Sequence, residues 1–545
     1  MFVSGADIDA GSTLQGDLVI VGAGAAGIAM AHRLIGAPLR VILLESGGLE
    51  FEEPVQDLYR GAVVGQPTED LDISRLRYFG GTTNHWAGWC RPLDREDFEA
   101  RSDWPEAGWP IARDDLDAYY PDAAGLCQLG PAGFDDLEFW RRRPAGQELR
   151  ALDLDSDRLR TALFQVSPPT RFAETYGPAL RAAANVQVVL NANVIELLPT
   201  PTAAPDADLK SIGGVAVASA PERQFTVTGR AVVVAIGGIE TPRLLLSSTR
   251  VHAAGAGNER DLVGRYFMDH PWLVQQAYWR FSREGSNWPL YFSETEIDGV
   301  HLFGTLAPNR DWARERGIGG FRLFLQGSTA STAGNESLRE IVGALRQGRL
   351  ADDFGDHVGN IVNDIDVVAD SAYKTVTGSR DSPFHTSPGP GAPLKGAQVD
   401  LNFEQRPNPD SRVTLGEDRD AYGMRRVRLD WRLGDSERRT AAEALALLAQ
   451  QIGAADLGRV RIKLDLADGK AWPGEMMGSR HHMGTARMSA TPRTGVVDRD
   501  CRVHGTANLF IAGSAVFATC GYANPTLTIV ALALRLAEHL RKELV

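Results

Sequence analysis

Asp17-Leu-Val-Ile-Val-Gly22-Ala-Gly24-Ala-Ala-Gly27-Ile-Ala-Met30 runs an apolar strand into a glycine-rich turn and then into an apolar helical pattern. The pattern continues through Leu34, and a second apolar strand follows, Arg40-Val-Ile-Leu-Leu-Glu45. This is the spacing of a βαβ unit. The glycines allow a tight turn and bring the backbone close to a pyrophosphate resting on the amides of the helix start. Glu45 ends the second strand eighteen residues after Gly27, the position from which a carboxylate accepts both hydroxyls of an adenosine ribose and disfavours a 2′-phosphate. A G-x-G-x-x-G alone is a weak signal. Here strand, helix and terminal acid agree on a dinucleotide site at Gly22, Gly24, Ala25, Ala26, Gly27, Glu45 and Ser46.

Working outward, Val186 to Leu197 and Arg230 to Leu246 read as further buried strands of the same domain, the second feeding a helix. They add Val194, Ala235 and Gly237 as cofactor-facing positions. Between them Ile212 to Val217 and Gln224 to Val227 alternate as a β-meander crossover does. Asn508 to Phe517 is another buried strand, with a turn at Gly513 and Ser514. The expected fold class is therefore α/β, α+β overall. A discontinuous Rossmann-type domain takes residues 15–100, 180–270 and 474–545. A substrate-binding domain on an antiparallel sheet takes 101–179 and 271–473, because strands there alternate polar and apolar faces. Phe403 to Leu415 and Arg425 to Leu433 read as paired strands of that platform, and Ser436 opens an amphipathic helix. Thr375 to Ala397, rich in Gly, Pro, Ser and Thr, reads as a lid-like loop.

A chain of 545 residues exceeds a single core. A net charge of −13 without a long basic run argues against nucleic acid or an anionic membrane as partner. Its four cysteines are scattered and form no Cys-x-x-Cys, so neither a disulfide framework nor a metal site is expected. The N-terminus lacks a basic leader, and Leu527 to Leu534 is cut short by Arg535, so a cytoplasmic enzyme without a membrane span is expected.

Three more segments carry candidate chemistry. Gly80-Gly81-Thr82-Thr83-Asn84-His85-Trp86 is a second glycine-rich loop whose amides can approach a flat ligand. Ser479-Arg-His481-His482-Met-Gly484 sets two imidazoles side by side; adjacent side chains diverge, so one points inward. Asn524-Pro525-Thr526 starts the last helix, with Asn at a favoured cap position and Pro where its missing N–H costs nothing. The free amides there suit a reduced flavin, which keeps negative charge at its N1 edge, better than a nicotinamide, which becomes neutral on reduction.

Taken together these motifs resemble the glucose-methanol-choline (GMC) family of FAD-dependent alcohol oxidoreductases along nearly the whole chain. Gly22 to Gly27 with Glu45 is similar to its ADP site, Gly80 to Trp86 to its flavin-approach loop, and Gly264-Arg-Tyr-Phe-Met-Asp269-His270-Pro271 to its lead into the substrate domain. The tail most resembles the pyranose oxidase and glycoside dehydrogenase branch. The resemblance implies bound FAD, a base at His481 and a hydrogen-bond donor at Asn524. It also implies hydride transfer from an alcohol carbon, preferably of a sugar, glycoside or other polyol, to flavin N5. A dehydrogenase is favoured over an oxidase. The electron acceptor, whether dioxygen, quinone or redox protein, stays open.

Alternatives remain at this stage. His482 competes with His481 as base, Asn524 also reads as a simple helix cap, and a non-sugar alcohol or a non-redox lyase chemistry fits the same fold. A covalent flavin link through His85 is possible but not favoured, since Asn84 departs from the Thr-His-Trp of the family members that form it. Asp269-His270 reads as a hinge at a domain junction. Glu404 and Gln405, on a platform strand, are candidate substrate contacts beside His482.

Overall fold

The computed structural model describes residues 1–130, 133–201, 209–283, 286, 288–328, 333–346, 348–351, 353–363, 394–466, 471–474 and 476–545. Two sheets dominate them. The first has six parallel strands in the order Phe2–Ser4, Val186–Leu190, Val41–Leu44, Leu18–Val21, Ala231–Val234, Leu509–Ile511. Leu18–Val21, Val41–Leu44, Ala231–Val234 and Leu509–Ile511 are buried at every position, as a sheet covered on both faces requires. Each such Leu, Ile or Val contributes about 1.5–3 kcal/mol of burial. Helices Ala25–Arg33 and Thr526–Leu544 pack together against it, and the meander Asn193–Pro199, Ile212–Ala220, Arg223–Thr228 forms a small sheet with Thr13–Gln15. Leu18–Val21 is the strand on either side of which the connections diverge, so its carboxyl end is the crevice of a doubly wound sheet.

The second sheet is antiparallel: Gly458–Ile462, Pro271–Phe281, Gly396–Phe403, Phe321–Ser328, Val300–Pro308, Leu159–Val166, Trp89–Cys90, with Thr295–Ile297 and Met476–Gly478 pairing at its sides. The helix Asp435–Ala454 covers one face with Ala441, Ala444, Leu445, Leu448 and Ile452.

Several expected boundaries move. Trp89–Cys90 and Met476–Gly478 belong to the antiparallel sheet. Tyr120–Leu126 and Phe172–Ala182 instead pack their apolar faces into the core of the parallel sheet. Arg412–Arg419 and Arg425–Asp430 do pair around a turn, but with Gly61–Val63 in a separate three-stranded sheet. Val413, Val427, Leu429 and Trp431 of this sheet bury themselves on Ile239, on the parallel-sheet side. The alternating pattern of that hairpin reports one buried face without saying against which layer it lies. Of the lid-like stretch, residues 375–393 lie outside the described residues, and Gly396 and Ala397 open a platform strand. No helix among the described residues is long and apolar enough to cross a membrane.

Candidate active site

The cradle begins at Gly22, whose φ of +101° is left-handed and whose added Cβ would stand 2.7 Å from the Ala235 carbonyl oxygen. A Cβ on Gly27 would sit 1.9 Å from the Gly22 oxygen, so glycine there is what lets the helix close onto the turn. The helix starts after Gly24 with no side-chain cap, leaving first-turn amides free for an anion. The Glu45 carboxylate accepts from Ala23 N at 2.9 Å and Gly47 N at 3.0 Å, which fixes it while leaving lone pairs for a ribose. These features fit an adenine dinucleotide.

A cavity of about 700 Å³ runs from this cradle past Ser46, Val194, Ala235 and Gly237, along Gly81 to Trp89, to Gly513, Ser514, His481 and Asn524. Gly22, Gly24, Ala25, Ala26, Thr82, His85, Trp86, Pro525 and Thr526 line it as well. Gly27, Gly80 and Asn84 stand behind the wall: Gly27 in the close packing just described, Gly80 at φ +98°, and Asn84 donating to Phe79 O. Among the described residues no group of three or more His, Cys, Asp or Glu forms a metal site.

At the far end His481 Nε2 lies 3.3 Å from Asn524 Nδ2. Arg322 Nη1 donates to Asn524 Oδ1, so the carboxamide is oriented: oxygen to the guanidinium, N–H to the imidazole. Asn524 is thereby engaged on both ends and does not cap the helix. Thr526–Leu544 starts after Pro525 without any side-chain cap. On its other side His481 Nδ1 meets His270 Nδ1 at 2.8 Å, and His270 Nε2 faces the carbonyls of Gly521 at 2.9 Å and Cys520 at 3.3 Å. Asp269 accepts from the backbone N–H groups of His270, Ser479, Arg480 and His481, folding the His481 loop around one carboxylate.

The platform reaches into this end. Arg322, on Phe321–Ser328, is 2% exposed, donates through Nε to Asn402 Oδ1 at 3.0 Å and lies over Phe164 and Phe324. No carboxylate among the described residues pairs with it. Asn402 in turn donates to Ser479 Oγ at 2.7 Å, and Ser479 Oγ donates to His270 O. Burial first, then the charges of His270, Arg322 and His482, hold the His481 imidazole well below its ordinary range. Burial likewise lowers His270 to about 3 and Arg322 to about 9.

His482 also lines the cavity but is held differently. Its ring packs on Phe267 at 5.8 Å, and its carbonyl accepts from Ser514 Oγ. Glu404 and Gln405 are not on the cavity. Glu404 is 3% exposed and accepts from Gly320 N, while Gln405, fully buried, binds Asp269 N, Arg432 O and Trp431 Nε1. The strand Gly396–Phe403 ends just before them, and the chain turns inward between the layers. His270, Asp269 and Arg322 are the residues that sequence reasoning passed over. Only the Asp269-His270-Pro271 motif carried a signal, and it read as a hinge.

Residues 407–533 match the family described as GMC oxidoreductase. The chain is 23% identical to the fructose dehydrogenase large subunit of Gluconobacter japonicus, covering 98% of this chain and 99% of that one. It is 24% identical to 2-methyl-1,2-propanediol dehydrogenase of Mycolicibacterium austroafricanum, covering 97% and 95%. Its fold is similar to that of formate oxidase from Aspergillus oryzae RIB40, in a structure concerned with modification of that enzyme's FAD. The TM-score is 0.53 at 18% identity, covering 98% of this chain and 99% of that one.

Proposed function

We propose that this chain, whose residues 407–533 match the GMC oxidoreductase family, is a member of that family and oxidises the CH–OH group of a sugar, glycoside or other polyol to a carbonyl with FAD in the cradle described above. The observation that carries this reading is an imidazole nitrogen and a carboxamide nitrogen, 3.3 Å apart, in the same cavity as the Gly22–Gly27 cradle. Bound there, FAD supplies the two-electron acceptor for the carbinol hydride. Glu45 would hold the ribose, the free amides after Gly24 the pyrophosphate, and those after Pro525 negative charge on the flavin. His85, which lines the same cavity, would contact the flavin without a covalent bond.

The substrate hydroxyl sits between His481 and Asn524. His481 Nε2 takes its proton, and Asn524 Nδ2–H donates to the oxygen as charge develops. Arg322, pulling on the Asn524 oxygen, polarises the amide and places a positive charge close to the nascent alkoxide. The aromatic and thioether walls of Trp272 and Met477 narrow this end of the cavity. The two full-length relatives are both dehydrogenases by name, which supports a dehydrogenase over an oxidase.

Anaerobic titration of the purified yellow protein with a panel of polyols and simple alcohols tests the reading. A sugar-type donor should bleach the oxidised flavin band, and acid precipitation should release the colour into the supernatant. Failure of every donor to bleach the band, or bleaching that His481→Ala leaves unchanged, would sink it.

A further inference from the structure

The hydrogen bonds around the base form one chain with fixed ends. Gly521 and Cys520 offer carbonyl oxygens, which only accept, and Arg322 offers a guanidinium, which only donates. Two imidazoles and one carboxamide lie between them. With both imidazoles neutral, a single assignment satisfies all the contacts. His270 carries its proton on Nε2 and gives it to Gly521 O, so its Nδ1 accepts. His481 therefore carries its proton on Nδ1, and its Nε2 is bare toward Asn524 and the cavity.

We infer that His270 is a positioning residue for the oxidation: it fixes the tautomer of His481 that leaves Nε2 free to take the substrate proton. The inference rests on the reading of His481 as base. The placement of His270 is built in several ways. Gly521 sits at φ +54° with Asp97 Oδ2 only 2.6 Å from where a Cβ would be, which leaves the loop little freedom in aiming its carbonyl at His270. Asp269 ties the backbones of His270 and His481 to one carboxylate, and the strands next to them in the chain pair directly, Pro271 opposite Gly478. Without His270, Nδ1 of His481 would lose its acceptor, and the Nε2–H tautomer, donating to solvent or substrate, would compete.

Proton accounting follows from the same geometry. When His481 Nε2 accepts the hydroxyl proton, the imidazolium keeps its Nδ1–H on His270 Nδ1, and the chain stops at backbone carbonyls beyond. The proton has no exit that way. It leaves from Nε2 into the cavity once the product has gone.

Imidazole nitrogen spectra of the holoenzyme, labelled with 15N at histidine, test this directly. The His481 signals are those missing from His481→Gln. The expected result is a protonated Nδ1 and a bare Nε2 at neutral pH; a protonated Nε2 would overturn the inference even if His481 proves essential for turnover. In kinetics, His270→Leu should lower kcat by on the order of 10²-fold or more with KM changed less than about threefold. His270→Asn, whose Oδ1 can stand where Nδ1 stood, should recover about tenfold of that loss. A flavin-loaded His270→Leu protein turning over within about threefold of the parent would also overturn it. If the leucine variant does not fold, the nitrogen spectrum of the unsubstituted protein decides alone.

Discussion

One carboxamide, Asn524, is held from two sides by groups from different parts of the chain, Arg322 on the platform and His481 on the loop after Gly478. Asn524→Ala should lower kcat by about 10²–10³-fold, the usual cost of losing an oriented donor to a developing oxyanion. His481→Ala should lower kcat/KM by about 10²–10⁴-fold. Both variants should retain flavin, measured by the absorbance ratio of cofactor to protein. The pH dependence follows from the sign of the shift. A lowered imidazole stays neutral, and hence basic, at pH values where an ordinary histidine would protonate. The acid limb of kcat/KM should therefore lie below 6.5, and a limb at or above that value would count against His481 as the base. His481 and Asn524 stood out in the sequence because a motif and a helix start marked them. His270 did not, since its role depends on a loop 211 residues away. Glu404 and Gln405 misled because a polar residue on an alternating strand looks the same whether it faces a pocket or bridges two layers.

At the scale of elements, the strand–turn–helix from Leu18 to Arg33 was readable because its requirements are local: four apolar residues, then glycines where no Cβ fits. Gly27→Ala should cost at least about 1–3 kcal/mol through overpacking against the Gly22 carbonyl. It should appear as a lower unfolding temperature together with weaker flavin retention. The final helix was also readable, but its first residue shifted by one. Capping preferences describe a side chain free to turn back on its own backbone, and that of Asn524 is taken by tertiary partners. The hairpin Arg412–Asp430 shows the complementary limit: pairing was visible in the sequence, while the choice of neighbour, Gly61–Val63, required a contact with a distant segment.

For the whole molecule, the parallel sheet and the small three-stranded sheet are joined by buried charge as well as apolar packing. Arg243 reaches from the helix Gly237–Ser247 to Asp420 at 2.6 Å and also pairs with Glu240. Glu240 meets Arg75 and Arg77 too. Although burial opposes its ionisation, the guanidinium groups of Arg243, Arg75 and Arg77 hold the Glu240 carboxyl down to about 2. Because that folded value is depressed, its stabilisation is present above the ordinary carboxylate range and is lost as pH falls toward 2. Glu240→Gln should cost about 3–5 kcal/mol by leaving buried cations short of a partner, seen as a drop in the apparent unfolding temperature at neutral pH. The discontinuous layout was legible as separate pieces, since each strand announces its own burial. The assignment of 89–90, 120–126, 172–182 and 476–478 was not, because short segments carry no record of which layer receives them.

The two imidazoles flank a pair of platform strands, His270 just before Pro271 and His481 three residues past Gly478, whereas Asn524 stands just before the final helix, which packs on the other layer. A seam thus passes through the proposed reacting centre itself. Breathing between the layers would alter the reach for proton abstraction before disturbing either interior, so added viscogen should slow turnover while leaving the melting temperature in place.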